Sequence, residues 1–217
     1  MNDFDLKINN YIEESIKEIE KDKNLTFCKL ISNNLKTEIH CNSILCSKKL
    51  LEFSKTFNNL FNDSNCENKL NVYVTQENKI LESMKEIFIN DNWEKNEAIT
   101  NFNIATRNTS EAKCSKDENY YIMRCYEYFY YIYNKKSNKC LMVIQNEKKA
   151  LTMVNILLLT PYLLYGDLYA VHGGLVSDGK NNILFSNSSL GGKTTFAILF
   201  LTNGWKIVTE ETTYITK

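Results

Sequence analysis

The sequence predicts an α/β protein whose last quarter carries a phosphate-binding loop. Three observations predict it. The apolar run ILFS, from Ile183, enters a small-residue loop ending in Gly-Gly-Lys-Thr-Thr, and an apolar helix and a strand follow. Earlier in the chain, strand-like runs alternate with amphipathic helices, and no repeat period is present. All seven glycines lie at or after Gly166, whereas all seven cysteines lie at or before Cys140. Glycine serves where the backbone turns left-handed or approaches something closely, so tight geometry is expected near the C-terminus, and function with it. The chain reads as a mixed α+β region over 1–148, followed by a nucleotide-binding module over 149–217.

Each element has its own signal. Over 1–22, Phe4, Ile8, Ile12, Ile16 and Ile19 form one stripe among Glu and Lys, which predicts an amphipathic helix. Such a helix docks on its own core or binds a partner. LTFCKLI, KLNVYVT and AITNFNI read as strands, and SKKLLEFSKTFNNLF and NKILESMKEIFI as helices. The aromatic stretch from Asn119 reads as two strands joined by the polar turn Asn134 to Lys139. Its tyrosines suit a core better than a base-stacking platform, because no basic groove accompanies them. Residues 150 to 166, ALTMVNILLLTPYLLYG, are short for a membrane span and read as a buried helix. LYAVHGGLV is then a strand, SDGKNN a turn, ILFS a strand, TTFAILFLTN a helix apolar nearly all round, and WKIVT a strand. Asn203-Gly204 closes that helix, with glycine at the left-handed position after its end.

Composition narrows the function. Apolar residues make up 43% of 217, enough for a sizeable core. Lys+Arg and Asp+Glu are both 26, so zero net charge argues against a nucleic-acid or anionic-membrane footprint. The start, MNDFDLKINN, carries acids where a secretory signal would carry bases, which points to the cytoplasm. Seven cysteines there are expected to be reduced thiols. His40-Cys41-x4-Cys46 has the look of half a metal site, but no second pair completes it.

The loop holds the chemistry. A phosphate site needs backbone N–H groups converging at the positive end of a helix, a lysine for the terminal phosphates and a hydroxyl for Mg²⁺. Ser188, Ser189, Leu190, Gly191, Gly192, Lys193, Thr194 and Thr195 supply that set, with Lys193 as the phosphate lysine and Thr194 as the Mg²⁺ ligand. The paired acids Glu210-Glu211 follow the next strand, where metal-binding carboxylates belong. The pattern G-x-x-x-x-G-K-[ST] departs only at its first glycine, here Asn187, a residue that tolerates left-handed geometry. The alternative is a strand–turn–helix that contains Gly-Lys-Thr by chance. A transporter-type ATPase signature and a guanine-reading Asn/Thr-Lys-x-Asp are both absent from the sequence.

The segment VHGGLVSDGKNNILFSNSSLGGKTTFAILFLTNGWKIVTEE resembles the HPr kinase/phosphorylase family, including relatives that accompany peptide maturation. His172, Gly192-Lys193-Thr194, Gly204 and Glu210-Glu211 carry the likeness, which covers about 150 to 213. It implies a sheet like that of phosphoenolpyruvate carboxykinase, with ATP and Mg²⁺ as cofactors and a serine of a small protein or peptide as acceptor. It also implies that Lys193 meets the β- and γ-phosphates and that Thr194 and one glutamate, Glu210 in the first instance, hold Mg²⁺. Of Glu210 and Glu211, one would act as base, and His172 would lie near the transferred phosphate or be a packed strand histidine.

The sequence departs from that family at Asn187 and Leu190, usually glycine, and at the paired acids, usually Asp. The family also continues beyond the acids, whereas here only TTYITK follows. The expected sheet is therefore incomplete at the C-terminus, with an uncovered edge near Tyr214-Ile215. Three readings follow: the remainder is lost or separately encoded, the chain is a degenerate nucleotide- or peptide-binding scaffold without turnover, or an N-terminal element of the same chain fills the gap. As partners, a separately encoded C-terminal half or a homo-oligomer is expected beside the acceptor.

Overall fold

The computed structural model describes residues 2–32, 35–58, 68–95, 110–125, 127–148, 168–171, 173–187, 191–209 and 213–216. The chain divides into two compact units, Met1–Pro161 and Tyr162–Lys217. The expected strand AITNFNI and the expected buried helix over 150–166 lie outside the described residues.

The first unit is built on one mixed sheet of eight strands. In chain order they are β1 (Thr26–Ser32), β2 (Leu35–Cys41), β3 (Asn68–Thr75), β4 (Glu94–Lys95), β5 (Ser110–Cys114), β6 (Tyr120–Cys125), β7 (Phe129–Asn134) and β8 (Lys139–Ile144). Their spatial order is β1-β2-β3-β8-β7-β6-β5-β4. The pairs β2–β3 and β3–β8 are parallel and the others antiparallel. A parallel neighbour needs a crossover, and α2 (Ile44–Asn58) supplies it between β2 and β3.

Helices α1 (Asp3–Glu20) and α3 (Asn78–Phe88) cover one face of this sheet. α1 starts where Asn2 accepts the Asp5 N–H at 2.8 Å, an N-cap. Its isoleucine stripe, Ile8, Ile12, Ile16 and Ile19, is buried as the spacing predicts, against Tyr73, Leu141, Ile132 and α3. Each such side chain contributes roughly 1.5–3 kcal/mol. The polar side of α1 is tied down as well. Lys139 Nζ bonds Glu13 at 2.6 and 2.8 Å, Asn134 Nδ2 donates to Asn9 at 3.1 Å, and the Tyr11 hydroxyl donates to the Ile80 carbonyl at 2.8 Å. α1 is therefore a docking helix of its own unit.

The aromatic stretch forms three strands and not two. The chain reverses between Cys125 and Phe129, which pair, and the Tyr128 N–H reaches the Cys125 carbonyl at 3.0 Å. The turn was hidden because its flanks are as aromatic as the strands. β7 is buried along its whole length, so Tyr130, Tyr131 and Tyr133 are core residues. The polar turn from Asn134 to Lys139 is present, with Asn134 Oδ1 accepting from the Lys136 and Ser137 N–H groups.

The second unit holds two small sheets and one described helix. β9 (Leu168–Val171) pairs antiparallel with β13 (Thr213–Thr216). β10 (Gly174–Ser177) lies between β11 (Asn182–Phe185) and β12 (Lys206–Thr209), antiparallel to both. LYAVHGGLV is thus two strands, broken ahead of Gly174. The sequence near Tyr214-Ile215 is paired with β9 and does not extend the three-stranded sheet. The helix α4 (Lys193–Thr202) packs on β10 and β12. Its apolar girth predicts burial, yet Ala197 is its one buried residue, and Phe196, Ile198, Leu199 and Leu201 are exposed. A ten-residue helix on three short strands has only one side to hide.

Candidate functional site

The candidate site is the turn from β11 into α4, and glycines seat its scaffold. A Cβ on Gly173 would stand 2.5 Å from the Phe185 carbonyl, and one on Gly174 would stand 2.4 Å from the Phe185 ring. β10 can therefore start flush against the last residue of β11. The hairpin between them closes at Asp178, whose Oδ1 accepts the N–H groups of Lys180 and Asn181 at 2.7 and 2.6 Å. Those N–H groups hold the exposed Asp178 carboxyl below its usual range.

Across the loop, the Lys193 ammonium donates to the Asn187 carbonyl at 2.7 Å. The Asn187 amide Nδ2 donates to the Gly191 carbonyl at 2.8 Å. The two ends of the loop are thereby drawn together by one side chain from each. Gly191 is required for this, because a Cβ there would lie 2.4–2.7 Å from the Asn187 amide group. Asn187 does not act through left-handed geometry. Among the described non-glycine residues, positive φ occurs at Glu118 and Asn138. Its amide is what the loop uses, a role that the consensus pattern does not contain.

Gly192 caps α4 in the left-handed region, at φ 82° and ψ 12°. No side chain caps this end, and the first turn contains no acid. The Phe196 N–H enters the helix ladder at the Gly192 carbonyl, 2.9 Å away. The preceding N–H groups, of Lys193, Thr194 and Thr195, belong to the set a helix cannot satisfy internally. Partial positive charge collects there. Thr194 and Thr195 are exposed, and Lys193 is half-buried. The far end of α4 is closed as expected. Gly204, at φ 85°, donates to Leu201, and Trp205 donates to Phe200, both at 3.1 Å, while the Trp205 and Phe200 rings meet at 4.9 Å.

Of the sequence-predicted site residues, Gly191, Gly192, Lys193, Thr194 and Thr195 come together at this helix start. His172, Ser188, Ser189, Leu190, Glu210 and Glu211 lie outside the described residues. Their described neighbours fix part of the frame. Gly174 pairs with Phe185, and Leu175 pairs with both Leu184 and Thr209, so β11 and β12 end on the same edge of the sheet, one strand apart. Two strand spacings place those ends about 10 Å from each other. The Thr213 hydroxyl donates to the Gly173 carbonyl at 3.0 Å and lies 3.4 Å from the Thr209 hydroxyl. This threonine pair went unread in the sequence, where nothing distinguishes it from other strand threonines.

The half metal site at His40-Cys41-x4-Cys46 does not assemble. Neighbouring strand residues face opposite ways. His40 stacks on Tyr73 at 4.7 Å on the face that α1 covers, and burial holds its imidazole below the usual range. Cys41 points to the other face, beside Cys46 of α2, and donates to the Ser43 carbonyl at 3.6 Å. Among the described residues, no group of three or more His, Cys, Asp or Glu side chains could hold a metal. The six described cysteines, 28, 41, 46, 114, 125 and 140, are unbridged and buried.

No described helix is long and apolar enough to cross a membrane. No family model, curated protein or solved structure matches this chain.

Proposed function

We propose that the turn from β11 into α4 binds the polyphosphate of an Mg²⁺-nucleotide, ATP in the first instance. We propose further that the chain is an HPr-kinase-like protein acting on a serine of a small protein or peptide. One observation carries the reading: the Lys193 ammonium lies across the loop, on the Asn187 carbonyl, above a helix start with no side-chain cap and no acid. An ammonium beside the positive end of a helix is a site for an anion with several oxygens.

The residues present fit such a group. Lys193 would neutralise the terminal phosphates, the N–H groups of Gly191 to Thr195 would hold the oxygens, and the exposed Thr194 hydroxyl would face Mg²⁺. Bound Mg²⁺-nucleotide supplies the phosphoryl group and the metal's charge. Glu210 or Glu211 would hold the metal or take the acceptor proton, and His172 would stand near the phosphate. The common exit edge of β11 and β12 supports placing those acids by the loop.

The test is a thermal melt with and without Mg²⁺-ATP, for wild type and Lys193→Ala. Nucleotide at roughly a hundred times its Kd stabilises by about 2.7 kcal/mol. That gain should appear in wild type and vanish in Lys193→Ala. Mass spectrometry of candidate acceptor peptides then checks transfer, one phosphate added per serine. A second reading, a nucleotide- or peptide-binding scaffold without turnover, is favoured by the exposed apolar side of α4. It requires the melting gain without any phosphopeptide. Absence of a gain in wild type and in Lys193→Ala alike would end both nucleotide readings.

A further inference from the structure

The first turn of α1 buries a carboxyl, one oxygen of which is orphaned. Asp5 is 2% exposed, and its Oδ1 has no hydrogen-bond partner. The group that faces it is another carboxyl, Asp117 in the turn between β5 and β6, within hydrogen-bonding reach.

Asp117 itself is exposed and well supplied with donors. Ser115 Oγ reaches its Oδ1 at 2.7 Å, the Asn119 N–H reaches the same oxygen at 3.2 Å, and Asn119 Nδ2 bonds its Oδ2. Desolvation works against its charge, but these donors outweigh it and hold the carboxyl below the usual range. Asp5 has no comparable donors, and burial followed by the Asp117 charge pushes its carboxyl up. Two carboxyls in contact share one proton unless a cation lies between them. Because Asp117 holds its charge, the proton belongs on Asp5, whose O–H then donates to Asp117.

We propose that Asp5 and Asp117 share one proton, which latches the start of α1 to the β5–β6 turn and loosens that seam as pH rises. Against that, the positive charges of Lys136 in the β7–β8 turn and of the amino terminus favour the ionised form of Asp5, and the Asp5 charge in turn acts on Tyr120 of β6. The Tyr120 phenol is itself pushed up, by burial first and then by the two carboxyls. The sign follows from linkage. A carboxyl raised above 3.8 in the folded state contributes stability that is complete below that value and is lost as pH rises through the raised one. An ordinary first-turn acid would do the opposite, since the helix start favours negative charge.

The test replaces Asp5 in the full chain with the neutral isostere Asn, whose amide can donate to Asp117 at every pH. Asp5→Asn should melt with wild type near pH 4 and about 2–4 °C above it near pH 7.5, with slower exchange of the first-turn amides of α1. Asp117→Asn, which deletes the neighbouring charge but also an acceptor of Asn119, should melt below wild type at both pH values and narrow the pH dependence only in part, because Asp5 stays buried. The proposal is overturned if Asp5→Asn melts below wild type at neutral pH, or if the offset is equal at both pH values. It is also overturned if Ca²⁺ or Mg²⁺ raises the wild-type midpoint but not that of Asp5→Asn, because the bridge would then be a cation.

Discussion

Asn187 holds the proposed phosphate loop with two different groups: its carbonyl accepts from Lys193 and its side-chain amide donates to Gly191. Asn187→Gly would restore the consensus glycine and remove the second bond, a loss of about 0.5–1.5 kcal/mol. The expected result is a smaller melting gain with Mg²⁺-ATP than in wild type, although the sequence then matches the pattern better. Gly191→Ala should harm the loop more, because its Cβ would strike the Asn187 amide. Glu38 bonds Lys36 at 2.8 Å and Lys69 at 2.5 Å. Burial alone would raise its carboxyl, but the two ammonium groups hold it below 4.5. Its contribution is therefore complete above 4.5 and lost as pH falls through the depressed value. Glu38→Gln should lower stability at neutral pH by about 0.2–1 kcal/mol. That gap should close in acid, opposite in sign to the behaviour of Asp5→Asn.

Among the elements, α1 carries one apolar stripe and α4 is apolar nearly all round, yet it is α1 that is covered. Ile12, in the α1 stripe, is wholly buried, so Ile12→Ala should cost about 2–5 kcal/mol in a denaturation curve. Leu199 of α4 is 57% exposed, and Leu199→Gln should stay within about 0.5 kcal/mol of wild type. Gly204 is different again. At φ 85° it carries the turn that ends α4, so Gly204→Ala should cost about 1–2 kcal/mol. The stripe of α1 was readable because its residues recur at helical spacing and face one way. The exposure of α4 was not readable, since a helix apolar on all sides carries no mark of which side lacks a neighbour. The reversal between β6 and β7 escaped notice for a similar reason, with aromatic residues running through the turn.

For the molecule as a whole, the division into two units separates scaffold from proposed chemistry. Mg²⁺-ATP should slow amide exchange over 191–196 in the second unit and leave β6, β7 and β8 of the first unit unchanged. Protection spread evenly over both units would contradict a nucleotide site confined to the β11–α4 turn.

What depends on neighbours along the chain is legible in the order of residues: the stripe of α1, the loop with its Gly192 cap and Lys193, and the glycine that ends α4. These are local matters of side-chain period and backbone freedom. Folding in three dimensions sets the rest: β2 sits between β1 and β3, His40 and Cys41 face apart, and Asp5 comes to Asp117 from more than a hundred residues away. Such pairings depend on which surfaces the folded chain brings together, and burial then sets the charge each group can hold.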